Sequence, residues 1–244
     1  MFPSIWRGLH GIYGGYVLAR VVEEAQVISG FSPLSVGIQF MGAIYDEQAE
    51  WQVEVQHTGR YTASVNLAIL QPHTKVVAAV KLGRGSDQRI LDFPIDMSTR
   101  PHPDSLKRFH FPTGPIEYES FIDQRLVNSP VESRRQRTEA WVKLDESVQQ
   151  APELGPFGIA AVFLDVQPPG LFFTEQPPIF VPSVDFTLHF APNANVQRHD
   201  WMFLTQETVW ATRDFSVEES QLYSKDGHIV AQLRQTRRVL WERP

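Results

Sequence analysis

Asp165 closes a run, 157–164, in which every residue is apolar or glycine, and Pro168 and Pro169 follow shortly after it. A carboxylate on such a segment is costly unless it is paired, solvated or used. Partial burial raises its pKa toward the range in which a carboxylate works well as a general base. The alternative is a helix-end carboxylate that reaches water or caps the turn before Pro168, where the helix dipole mildly repels it. Gln235 is a second polar group in apolar company. On its strand it has the parity of Ile229, Ala231 and Leu233, whereas Gln232 and Arg234 have the other. A core-facing amide must find hydrogen-bond partners, either backbone or another buried polar group such as Asp165. Ser183 follows Pro182 and has the parity of Asp185, Thr187 and His189, so by pattern alone it is a surface serine.

Other chemistries find less support. The chain has no cysteine, which removes disulfides, thiolate catalysis and cysteine-based zinc sites. His10, His57 and His228 lack metal-ligand spacing, so no metal is expected. No G-x-S-x-G elbow of an α/β-hydrolase is present. Asp185 and His189 share a strand and read as its solvated face. Gly14 and Gly15 open the first helical segment, where they allow close packing or expose amides able to polarise a carbonyl.

The net charge of -6 argues against a nucleic-acid surface. With 16 Phe and 6 Trp the chain has ample material for a core. The N-terminus shows no apolar signal-peptide segment, no run approaches the ~20 apolar residues of a membrane span, and the C-terminus LWERP shows no lipidation signal. The expectation is a soluble, cytoplasmic protein.

The elements that must carry Asp165 and Gln235 are mostly strands. Residues 51–57 and 184–190 alternate apolar and polar side chains, and 138–144 and 228–235 are further candidates. This is the pattern of antiparallel sheet with one buried face. Residues 13–28 have Val17, Leu18, Val21, Val22 and Ala25 at helical spacing, and 155–165 suits a helix enclosed on all sides.

The order of the pieces repeats. Each half runs from a helix through a proline-containing turn into a strand, 35–40 or 183–190, and then to a strand opening at Trp51 or Trp201. Each continues through a Thr-rich strand, QHTGRYTASV or QETVWATRDF, to a last strand holding Val77-Ala78 or Val230-Ala231. The spacing between halves is 150 residues at the tryptophans and 153 at the Val-Ala pairs. A near-constant spacing points to duplication of a helix-plus-sheet unit. The intervening 91–115, rich in proline and charge, reads as a linker rather than a buried element. The expected division is a first unit at 1–92, a linker at 93–115 and a second unit at 116–244.

With GIYGGYVLARVV near the start, a helix ending FLD, SVDFTLHF, the Trp201 strand and YSKDGHIVAQLRQ near the end, the chain resembles the acyl-CoA thioesterase II (TesB-like) family. The resemblance implies an α+β fold, a tandem (double) hotdog with two long central helices, each wrapped by antiparallel sheet. It also implies hydrolysis of acyl-CoA to free acid and CoA by a water that an Asp, a Thr or Ser hydroxyl and a Gln hold and activate. Carried onto this chain, those positions are Asp165, Ser183 and Gln235, with serine in place of the threonine of the best-known member. Substrate-binding roles fall to Gly14 and Gly15, and Arg134, Arg135 and Arg137 form a solvated edge or contact CoA phosphates. No cofactor is needed, and a homo-oligomer is expected. The alternative is a hotdog that binds an acyl chain or acyl-CoA without cleaving it. A hotdog dehydratase would need an Asp/His pair in its tunnel, which the sequence does not offer.

Overall fold

The structure is a computed structural model of the 244-residue chain, and it describes all residues except 1, 46–47, 85–87, 112–115, 129–135, 146–153, 192–195 and 243–244. It is an α+β fold, with a large antiparallel sheet and two helices. A short hairpin, β1 (Arg7–Gly8) and β2 (Gly11–Ile12), leads into helix α1 (Gly14–Ser29). Strands β3 (Ser32–Phe40), β4 (Glu50–Thr58), β5 (Thr62–Leu70) and β6 (Thr74–Gly83) follow. The second half adds β7 (Ile122–Leu126) and β8 (Thr138–Leu144), then helix α2 (Pro156–Leu164). It closes with β9 (Ser183–Phe190), β10 (Met202–Ala211), β11 (Phe215–Tyr223) and β12 (Ile229–Arg238).

Ten strands form one sheet in the order β4-β5-β6-β3-β9-β12-β11-β10-β8-β7. The halves join where β3 pairs antiparallel with β9, Val36 opposite Leu188 and Ile38 opposite Phe186. These four apolar side chains are buried. Both helices pack on this sheet, α1 against β3, β5 and β6 and α2 against β11 and β12, and they pack on each other. Each helix therefore bridges its own strands and its opposite number, so the core runs unbroken across the join.

The helix ends follow from local chemistry. α1 buries Val17, Leu18, Val21, Val22 and Ala25, as their spacing predicts. It stops at Gly30, whose φ of 67° is left-handed and whose N–H returns to Gln26 O; a side chain there would resist that conformation. α2 starts on Pro156, where a missing N–H costs nothing. Every residue from Gly158 to Leu164 is buried, in keeping with a segment that has no polar stripe. At nine residues α2 is not the long helix expected. Pro168 and Pro169 prevent its continuation, and 165–182 runs through turns and a 3-10 helix, Gly170–Phe173, before β9.

Two further expectations change. QHTGRYTASV and QETVWATRDF are not single strands: each is the end of one strand, a turn and the start of the next. In the first, Gly59 N donates to Thr62 O at 2.8 Å; in the second, Thr212 Oγ1 accepts from Phe215 N at 3.1 Å. Alternation did not reveal turns that carry no proline. The proposed linker stretch is also less free than its composition suggested. Ile95, Met97 and Leu106 pack against the buried trio Trp141, Phe203 and Tyr223, on the sheet face away from the helices, and Pro103 is buried. β4, which alternates cleanly in sequence, is one edge of the sheet, and Val53 and Val55 remain exposed there.

Candidate active site

Asp165 is the residue that ends α2, and it is buried. The C-terminus of its own helix is a poor place for an anion, but the N-terminus of α1 lies beside it. The backbone N–H of Gly15 is turned toward the carboxylate and favours its ionised form. Gly14 comes so close that a Cβ there would sit 3.1 Å from Asp165 Oδ2 and 3.2 Å from the Phe186 ring, which explains a glycine at this point. The carboxylate is thus paired rather than solvated. Arg237 Nη2 stands 3.5 Å from Asp165 Oδ1, with both side chains almost wholly buried.

The sheet presents the remaining groups through β9 and β12. Gln235 is opposite Phe186 in the ladder and faces the core, as its parity predicts. Ser183 does not follow its predicted parity. The register slips between Thr236 and Arg237, so that Asp185 is opposite Thr236 while Ser183 is opposite Arg237. One extra residue in a strand turns the next side chain to the other face. Ser183 therefore lies on the core side with Gln235 and Arg237, which its place after Pro182 could not have shown.

The contacts define a direction. Ser183 Oγ donates to Gln235 Oε1 at 3.0 Å, and Arg237 Nη1 donates to Ser183 Oγ at 3.2 Å. A guanidinium has donors only, so the serine must accept from it and keep its single O–H for the amide oxygen. The carboxamide is then turned with Nε2 away from the serine and onto Asp165. There it favours the ionised carboxylate, although the contact is loose and short of full hydrogen-bond geometry.

Arg237 is itself held by Glu218, which accepts from its Nε, and by Val181 O at 3.2 Å. Glu218 is 0% exposed and also accepts from Gly170 N at 2.6 Å and Thr208 Oγ1 at 3.5 Å. A buried ion pair of this kind contributes little net stability, but removing one partner strands a charge and is strongly destabilising. Burial pushes the Asp165 carboxyl up to about 6; Arg237 and the Gly15 N–H oppose the rise, Glu218 adds to it, and Gln235 opposes it.

A cavity of about 380 Å³ opens beside these groups, and Gly14, Asp165, Ser183 and Arg237 line it. Its other walls are largely apolar, with Phe40, Ile44, Ile116, Tyr118, Phe172 and Phe180 among them. Tyr13 and Tyr118 stack with ring centroids 4.1 Å apart, and Tyr13 OH donates to Val162 O at 2.7 Å, locking the entry of α1 onto α2. Both phenols are held above their usual pKa, first by burial.

Of the residues singled out from sequence, Asp165, Ser183 and Gln235 come together. Gly14 lines the cavity, whereas Gly15 holds Asp165 from behind. Asp185 accepts from Thr236 N at 3.1 Å and His189 is exposed, so they form no pair. Arg137 donates to Glu139, while Arg134 and Arg135 lie outside the described residues. Among the described residues no group of His, Cys, Asp and Glu could hold a metal ion. No helix among the described residues is long and apolar enough to cross a membrane.

Sequence reasoning missed Arg237 and Glu218. Arg237 has the parity of Gln235, which was signal enough to place it inside. Glu218 was harder, because on β11 the polar residues Ser216, Glu218 and Ser220 are all buried while Val217 beside them is buried too, so alternation carries no information there.

Comparison with known proteins adds the following. The acyl-CoA thioesterase N-terminal domain matches residues 2–82 and the acyl-CoA thioesterase C-terminal domain matches 94–239. Among solved structures, the chain is similar to a conserved protein of unknown function with hot dog fold from Alicyclobacillus acidocaldarius (TM-score 0.82, 18% identity, 99% of this chain and 91% of that one). It is similar also to the tesB protein of Mycobacterium avium subs paratuberculosis (0.77, 15%, 94% and 88%). A third is the acyl-CoA thioesterase II TesB2 from Mycobacterium marinum (0.74, 15%, 94% and 89%). At these identities the structures show a shared hotdog fold. No curated protein matches the chain in sequence.

Proposed function

Because the chain belongs to the acyl-CoA thioesterase family, we propose that it hydrolyses the thioester of an acyl-CoA to the free acid and CoA. The observation that carries this reading is the meeting of Asp165, Ser183 and Gln235 beside an apolar cavity that Asp165 and Ser183 line. Asp165 is the base that takes a proton from the attacking water, and Gln235, oriented by Ser183, holds that water against it. Arg237 and Glu218 stand behind Ser183 and fix the sense of its hydrogen bond. The apolar wall receives the acyl chain. In the same reading the two halves, 1–92 and 116–244 about a linker at 93–115, are tandem hotdog units. What supports this is their matching order of helix followed by four strands, and the antiparallel join of β3 to β9.

The test is thiol release from a panel of acyl-CoAs, followed with a thiol-reactive dye from pH 4.5 to 8.5. Hydrolysis well above background is expected, with kcat/KM falling tenfold per pH unit below about 6, because the base works only when ionised. Tight acyl-CoA binding with release at the background rate would instead identify a binding protein.

A further inference from the structure

Water adding to a thioester places charge on the carbonyl oxygen, and that charge needs donors already aimed at it. The amides at the start of α1 are the obvious source, but the Gly15 N–H is directed at Asp165. The cavity wall carries another donor. Gln167 is 2% exposed and lines the cavity with Asp165, Ser183 and Arg237. Its Oε1 accepts from Gln124 Nε2 at 2.8 Å, and its own Nε2 has no hydrogen-bond partner.

Among the described residues, unpartnered buried side-chain atoms belong to Trp6, Asp92, Arg108, Gln136, Thr138, Gln167, Ser216 and Gln235. Only Gln167 of these also lines the cavity. A buried amide without a partner is uncommon in a folded chain and calls for an explanation, and at a cavity wall a bound ligand supplies one. Gln167 sits two residues beyond Asp165, in the stretch between α2 and Pro168, so one short segment carries both the acid and the spare donor.

We infer that Gln167 Nε2 is the donor that holds the thioester carbonyl oxygen and stabilises the oxyanion formed from it. This inference rests on the thioesterase reading. In the step it serves, the water oxygen bonds to the carbonyl carbon, a water proton passes to Asp165, and the carbonyl electron pair moves onto the oxygen that Gln167 holds. The oxyanion then collapses, the carbon–sulfur bond breaks, and the proton passes from Asp165 to the CoA sulfur. Gln124 keeps the Gln167 carboxamide turned so that its N–H, not its oxygen, meets the substrate.

Steady-state hydrolysis by Gln167→Met and Gln167→Glu tests the assignment. Methionine keeps the length and removes the donor; glutamate, assayed at pH 8.5 where it is ionised, keeps the shape and the acceptor for Gln124 but offers no donor. Both variants are expected to lose about 100-fold or more in kcat, with KM changed by less than about threefold. Binding of a ketone analogue, in which a methylene replaces the thioester sulfur, should stay within about fivefold.

Gln167→Met retaining kcat within threefold of the parent overturns the inference, as does full activity in Gln167→Glu. Should Gln167→Met fail to fold, Gln167→Glu alone decides. Parent protein that releases no thiol, or an Asp165→Asn variant that is fully active, breaks the thioesterase reading itself. An active parent, an inactive Asp165→Asn and an active Gln167→Met break only the role given to Gln167.

Discussion

Each helix of this molecule carries an acid that faces a backbone N–H at the start of the other helix. The N–H of Gly15, at the start of α1, is turned toward Asp165; that of Gly155, at the start of α2, donates to Glu23 Oε1 at 2.7 Å. Counted from the first residue of each helix, Glu23 and Asp165 occupy the same position. Burial holds both carboxyls above their ordinary pKa. The likeness ends at the sheet. Matched at the register slip that each ladder carries, where Pro33 is opposite Leu82 and Ser183 opposite Arg237, the counterpart of Ser183 is Pro33 and that of Gln235 is Val80. Both are buried and neither side chain can make a hydrogen bond. Glu23 has instead Arg20 at 3.4 Å, on a side chain that is 36% exposed. A helix start is thus enough to seat an acid, and amide, hydroxyl and guanidinium from the strands are what surround it with further polar groups.

The largest effect expected from this comparison is on turnover. Asp165→Asn should lower kcat by about 1,000-fold or more, since a general base and its hold on water are lost together. Glu23→Gln should leave kcat within about threefold. Equal losses in the two variants, measured on the same acyl-CoA, would erase the distinction drawn between the halves.

A smaller loss is expected when Gln235 is made apolar, as its counterpart is. Gln235→Leu keeps the volume approximately and removes the amide, leaving Ser183 without its acceptor. We expect kcat to fall about 100-fold, with stability lowered by ~1–3 kcal/mol for the stranded hydroxyl. A Gln235→Leu variant as active as the parent would show that the acid and helix start suffice.

The smallest effect is on stability, and it should favour the inactive variant. With a folded pKa of about 6 against 3.8, Asp165 binds its proton more tightly folded than unfolded. Its protonated form therefore stabilises the fold fully below about pH 4, and that contribution is lost as pH rises through 6. Asparagine mimics the neutral acid, so Asp165→Asn should be more stable than the parent at pH 8, by on the order of 3 kcal/mol. The gain should shrink through pH 6 and vanish near pH 4. Glu23→Gln should share the sign with a lesser size, because its side chain is 15% exposed against 6% for Asp165. Urea midpoints at pH 4, 6 and 8 measure both, and a pH-independent difference at Asp165 would show that its carboxyl is not perturbed.

Much of the architecture is legible along the chain because sheet and helix periods are local. Alternation located β8, β9 and β12, and helical spacing located α1 with its buried face. The uniformly apolar 156–164 signalled an enclosed helix, and Gln235 betrayed itself by sharing parity with Ala231 and Leu233. Bulges and turns break the same logic. Ser183 was assigned to the wrong face because nothing in PSVDF announces an extra residue in the ladder, and the hairpin turns at 59–61 and 212–214 lack proline.

What the sequence determined by itself is the set of polar residues that could not stay unpartnered in an apolar setting, Asp165 and Gln235 foremost, because a residue's strand or helix face follows from its neighbours. Only the tertiary structure decided what those residues meet. Glu218 and Arg237 pair across β11 and β12, Ser183 is turned inward by a slip of one residue, and Gly15 reaches Asp165 from 150 positions away. Those meetings depend on how two helices and ten strands pack against one another, and hydrogen-bond direction and pKa follow from that packing.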